Sequence, residues 1–147
     1  MGFKVTVEEE EDLTLPEDSI HKAILMEVSP REINWVDRRT GEAKSKVLLE
    51  FWFEVTGSSE DKYIGRKVKG SVDSKMTTRA NDRFRNWSET LLGREISAGT
   101  DFDTDDIIGL SAEIVIGHRP SKDGGRVFEE VTDLLPLDAS AYSEPPF

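Results

Sequence analysis

Eight cations and two tryptophans in the middle of this chain have the types and spacing for one kind of chemistry. Arg38, Arg39, Lys44 and Lys46 crowd around one polar turn, Lys67 and Lys69 alternate along a later stretch, and Lys75 and Arg79 follow it. Trp35 stands just before the first group, and Trp52 lies between the first and the second. Cations set in a row can follow phosphates, and flat rings can receive unstacked bases. A base on an aromatic ring is worth about 1–3 kcal/mol whatever the base, so the combination suits a flexible single strand of nucleic acid. Any one of these cations, taken alone, is a solvated surface charge; only the cluster carries meaning. Trp52 has a competing reading, as a ring covered by the N-terminal segment or by a second copy in a homo-oligomer. Glu50 and Glu54 flank it and disfavour a phosphate there, so a base edge would have to meet it. Trp35, beside Arg38 and Arg39, is the better placed ring.

Enzymatic chemistry lacks its constellations. There is no cysteine, which removes thiolate metal sites, disulfides and a cysteine nucleophile. His21 and His118 are the only histidines, and His21 in a strand-like run reads as a packed residue rather than a base. Asp101, Asp103 and Asp105 imitate the start of a calcium loop, but Asp106 and Ala112 stand where that loop needs glycine and a bidentate glutamate. Helix capping explains Asp103 better. Gly124-Gly125 is not followed by Lys-Ser or Lys-Thr, so there is no phosphate-binding loop of that type. No catalytic residue, metal ligand or cofactor is assigned.

The elements that must position the cations and rings fit one domain of 147 residues. The formal charge of −11 argues at first against a polyanionic partner, but it is unevenly spread. Residues 1–18 carry a net −6 and residues 101–147 a net −8, while residues 19–100 carry +3. Such asymmetry hints at an interaction domain with acidic ends. No stretch is apolar enough for a signal peptide or a membrane span, so the expectation is a cytoplasmic protein with no membrane partner.

Alternation makes Phe3-Val5-Val7 a brief candidate strand, and Glu8 to Asp12 a solvated connector. Ile20 to Val28 is strand-like with both faces partly apolar, Pro30 marks a bend, and Ile33 to Val36 resumes. Asp37 to Glu42 is a polar turn. In Val47 to Val55 the set Val47, Leu49, Phe51, Phe53 and Val55 forms a core face, opposite Trp52. Gly65 to Asp73 is a third strand with Val68 and Val72 inward. From Ala80 to Leu92, Phe84, Trp87, Leu91 and Leu92 make one helical stripe, closed by Gly93. Asp103 to Gly109 is a capped single turn. Ala112 to Gly117 and Val127 to Leu134 are strands about a Gly-Gly turn at Ser121 to Gly125. The expectation is an all-β fold with one helix: a five-stranded OB barrel with the helix between strands three and four. Residues 1–18 are an acidic arm, 19–136 the OB domain and 137–147 a flexible acidic tail.

The opening Met1-Gly2-Phe3-Lys4-Val5, with Leu15-Pro16-Glu17, resembles the start of a family of small phage proteins. Gly65-Arg66-Lys67-Val68, Asp101-Phe102-Asp103 and Asp106-Ile107-Ile108-Gly109 are similar to stretches of the same family, which resembles OB-fold single-stranded DNA-binding proteins. The tail Glu144-Pro145-Pro146-Phe147 resembles the acidic tip by which bacterial and phage single-stranded DNA-binding proteins recruit other enzymes. A partner would need an apolar pocket for Phe147 and a basic group for its carboxylate. The sequence departs from these patterns in having only Asp138 and Glu144 as tail acids, and in Glu129 and Glu130 on the last strand. The resemblance implies a protein of an infected bacterial host that coats single-stranded DNA, with replication or recombination proteins as partners through the tail. A protein–protein adaptor on the same barrel, binding no DNA, is the first rival; a small hydrolase is the second.

Overall fold

Alternating apolar residues build the sheet. The computed structural model describes residues 2–7, 13–120, 124 and 127–137. Its five strands are β1 (Ile20–Val36), β2 (Ala43–Gly57), β3 (Lys67–Asp73), β4 (Ser111–Pro120) and β5 (Val127–Leu135), all pairing antiparallel in the order β3-β2-β1-β4-β5. One helix, α1 (Arg83–Leu92), follows β3 in the chain and precedes β4. In space it does not stand between them, because β2 and β1 separate β3 from β4 in the sheet. A placement of the helix between strands three and four is thereby corrected: α1 packs where the two sheet edges, β3 and β5, curl toward each other. No ladder joins those edges among the described residues.

On β2, Phe51, Phe53 and Val55 are fully buried, as the alternation requires. Leu49 is only partly covered and Val47 is 40 % exposed. The reason is that β3 pairs with β2 only from Leu48 onward, so the outer parts of β1 and β2 project as a two-stranded ribbon. β1 is one continuous strand rather than two. Its ladder to β2 skips Met26, with Leu25 opposite Phe53 and Glu27 opposite Trp52. One extra residue reverses the faces. Before it His21, Ala23 and Leu25 point inward; after it Val28 and Pro30 pair with the inward Phe51 and Leu49. This is why both faces look partly apolar in the sequence. Pro30 lies where β1 has β2 as its only neighbour, a place that tolerates a missing N–H.

The N-terminal alternation does not become a strand. Phe3, Val5 and Val7 are 101 %, 83 % and 92 % exposed, and no strand among the described residues pairs with them. Residues 13–19 instead pack on β4 and β5. Leu15 is fully buried, the Asp18 N–H donates to Ile116 O at 2.8 Å, and the Ile116 N–H donates to Ser19 O at 3.0 Å.

α1 starts at Arg83, three residues after the Ala80 start expected from the sequence, because Asp82 caps it. The Asp82 carboxylate accepts from Arg85 N at 2.9 Å, from Thr77 N at 2.8 Å and from Thr77 Oγ1 at 2.7 Å. Gly93, at φ 72°, ends the helix in the left-handed region that favours glycine. The buried stripe is Phe84, Trp87, Ser88 and Leu91. Trp87 meets Phe51 edge-on with centroids 5.7 Å apart, and its ring lies against Gly70 of β3. A Cβ at Gly70 would stand 2.5 Å from the indole and 2.8 Å from the Val131 carbonyl of β5.

Two outcomes follow from this packing. Gly70→Ala must displace a buried indole or a strand backbone, so it should destabilise by about 2–3 kcal/mol, read as a lowered urea midpoint. His21, buried between Ser19 Oγ at 2.7 Å and Ser58 Oγ at 2.8 Å, is held below the usual histidine range by burial, with Glu129 opposing. The unfolded ring takes up a proton more readily than the folded one, so this contribution is complete above about pH 6.5 and is lost as pH falls below it. Urea midpoints at neutral and mildly acid pH should show the loss, and His21→Gln should flatten it.

Candidate nucleic-acid interface

The period of two sorts the outer side chains into rows across β1, β2 and β3. Trp52 lies opposite Glu27 and Lys69, Glu50 opposite Ser29 and Ser71, and Leu48 opposite Arg31 and Asp73. Further out, Lys46 faces Ile33 and Lys44 faces Trp35. All of these share the side turned away from Phe51 and Phe53. Trp35 and Trp52 therefore occupy one surface, eight ladder positions or about 26 Å apart. Lys67, opposite Glu54, joins them.

Electrostatically this face is nearly balanced. Arg31, Lys44, Lys46, Lys67 and Lys69 share it with Glu27, Glu50, Glu54 and Asp73. Glu50 sits at the centre and is little exposed. It accepts from Lys69 Nζ at 2.6 Å and pairs with Arg31 at 3.5 Å. The Lys69 hydrogen bond, more than the charges around it, holds the Glu50 carboxyl below its usual range. Lys44 pairs with Asp37 at 3.0 Å, and Lys46 reaches Asp73 only at 4.0 Å. Asp37 is also held low, first by the Arg39 N–H and then by Lys44. Among the described residues the side chains of Arg38, Arg39, Lys67, Lys75 and Arg79 make no ion pair.

The fold gathers the sequence-selected residues into three places. Trp52, Lys67 and Lys69 border a hollow of about 200 Å³ whose far wall is Phe128 of β5, with Arg66 and Val127. Lys69 Nζ stands 5.4 Å from the Trp52 ring centroid. Trp35 and Lys44 line a second hollow of about 300 Å³ on the ribbon, close to the turn that carries Arg38 and Arg39. Lys75 and Arg79 line a third, of about 500 Å³, before α1 together with Arg83 and Asp82. Glu144, Pro145, Pro146 and Phe147 lie outside the described residues.

Three residues of this surface escape a reading of the sequence. Phe128 is 47 % exposed and belongs to an edge strand; only the curl of the sheet brings it across to Trp52. Arg31 gains its place from the reversal of β1 faces at Met26. Arg66 was hidden by standing just before β3. Glu129, one of the acids by which the last strand departs from the resembled pattern, has its charge engaged. Its carboxylate pairs with the Arg66 guanidinium, whose Nε donates at 2.6 Å, and accepts from Leu15 N at 2.6 Å. Its side chain is 9 % exposed.

Among the described residues no group of three or more His, Asp or Glu is placed to hold a metal ion. None of their helices is long and apolar enough to cross a membrane. No protein-family model matches this chain, and no curated protein matches it either.

Glu129 ties β5 to the start of β3 and to the N-terminal segment. Glu129→Gln should lose the ion pair but keep an acceptor for Leu15, costing about 1–2 kcal/mol once the half-exposed Arg66 is discounted for solvent screening. Urea unfolding measures it, and faster proteolysis near Leu13 should accompany it.

Proposed function

We propose that this protein binds single-stranded DNA without sequence preference, on an OB-type barrel in which β3 and β5 close beside α1. The observation that carries the reading is the hollow between Trp52 and Phe128, rimmed by Arg66, Lys67 and Lys69. Two rings facing one space, with cations at its edge, form a site for an unstacked base and its phosphates. The strand order is compatible with an OB fold, and the outer face of strands two and three is where such folds take oligonucleotides. From this hollow the strand would run along the outer face toward Trp35 and the cations Arg38, Arg39, Lys44 and Lys46. Lys75 and Arg79 form a side branch. The likeness of short sequence stretches to phage single-stranded DNA-binding proteins supports a role in phage replication or recombination, with the Pro-Phe tail recruiting partner enzymes.

A second reading has one observation in its favour. The near balance of charge on the outer face suits a protein partner, as an adaptor would need. Salt separates the two, since displacement of counterions makes DNA binding fall steeply with ionic strength.

Titration with oligothymidylate should quench tryptophan emission. Trp52→Leu and Phe128→Leu should each weaken binding about tenfold, as loss of one stacked base implies. Trp87, buried in the core, should contribute little to the quench. Affinity and quenching that survive in the Trp52→Leu/Phe128→Leu double variant would reject the hollow as the base site.

A further inference from the structure

We propose that Glu50 is a specificity-determining residue of the outer face: by engaging Lys69 and Arg31 it prevents binding through phosphates alone and makes binding depend on bases that reach the rings. The inference rests on the DNA-binding reading above.

The geometry is specific to this carboxylate. On β2 its neighbours in the same row are Ser29 of β1 and Ser71 of β3, neither of which brings charge. The charged groups reach it diagonally: Lys69 from β3 at 2.6 Å and Arg31 from β1 at 3.5 Å. Both cations lean onto one acid, and Lys69 also stands over the Trp52 ring. Glu54 and Glu27 share the face, yet among the described residues neither forms an ion pair. Glu50 thus occupies the position that a phosphate between Arg31 and Lys69 would take.

A duplex presents phosphates and keeps its bases stacked inside. To bind here it would have to displace Glu50 with nothing gained from Trp52 or Phe128. A single strand can place a base in the hollow and offset that displacement. The acid therefore costs both ligands binding, but only the single strand has a compensating contact. Removing it should help the duplex more.

The test uses the full chain, oligothymidylate and a blunt duplex of equal length, with anisotropy measured at about 50 mM and about 200 mM salt. Glu50→Gln should tighten duplex binding about tenfold and single-strand binding by less, and steepen the duplex salt slope by about one to two. Glu54→Gln removes the same charge from the same face without releasing a bonded cation, and should leave the ratio of the two affinities near that of the wild type. Lys69→Gln should cost little duplex affinity in the wild type but abolish most of the gain in the Glu50→Gln background, a coupling that a double-mutant cycle isolates. Should Glu50→Gln fail to fold by thermal melting, Glu50→Thr, a strand-forming replacement, carries the same expectation. An unchanged ratio and slope in a folded Glu50 variant overturn the inference while leaving DNA binding intact, as does a Glu54→Gln variant that matches it. A wild type that binds neither oligonucleotide at low salt overturns the DNA-binding reading and this inference with it.

Discussion

The indole of Trp87 against Gly70 is the contact on which the rest of the molecule depends. A sheet of five strands has two edges, and here both would be open to water without something to bring them together. Trp87 enters at that seam from α1, touching β3 at a residue with no side chain and stacking edge-on against Phe51 and Phe53. Because β3 gives way at Gly70, the ring can sit close enough for the Val131 carbonyl of β5 to lie just beyond. The curl that follows brings Arg66 to Glu129 and Phe128 to Trp52. The hollow at the surface is thus a consequence of how a buried ring is accommodated underneath.

Much of this was legible in the residues. The core face of β2 at Phe51, Phe53 and Val55, the inward Val68 and Val72, the helical stripe through Trp87 and the cap at Gly93 are local patterns, and local patterns survive translation into structure. What failed depended on neighbours. Phe3, Val5 and Val7 alternate as a strand should, but alternation without a partner strand buries nothing. Val47 fits the core pattern and is half uncovered because β3 ends too early to shield it. Glu129 stood out in the sequence only as a departure from the resembled pattern, since nothing there links it to Arg66, which lies 63 residues away.

The candidate site divides along the same line. Lys44, Lys46 and Trp52 on β2 and Lys67 and Lys69 on β3 follow period-two reasoning onto one surface, and the ladders place them so; Trp35 joins them only through the change of phase at Met26. The acids that share the surface were visible as sequence neighbours of Trp52, but not as partners of particular cations. A tally of Lys and Arg overstates the field available to a ligand, because Glu50 and Asp37 already engage Arg31, Lys69 and Lys44. Phe128 required the tertiary structure outright.

Met26 gives the longest strand a change of phase. The segment of β1 before it answers to the core, through His21, Ala23 and Leu25; the segment after it sends Arg31, Ile33 and Trp35 to the surface. If Met26 were paired in regular alternation instead of standing out of the ladder, the ribbon would turn inside out, pointing Trp35 to the opposite side from Trp52 and setting Glu32 and Asn34 among the cations. The two halves thus meet largely different sequence requirements. Beyond Val28, which still packs against the core opposite Phe51, the exposed ribbon can diversify its chemistry without disturbing the packing that supports it.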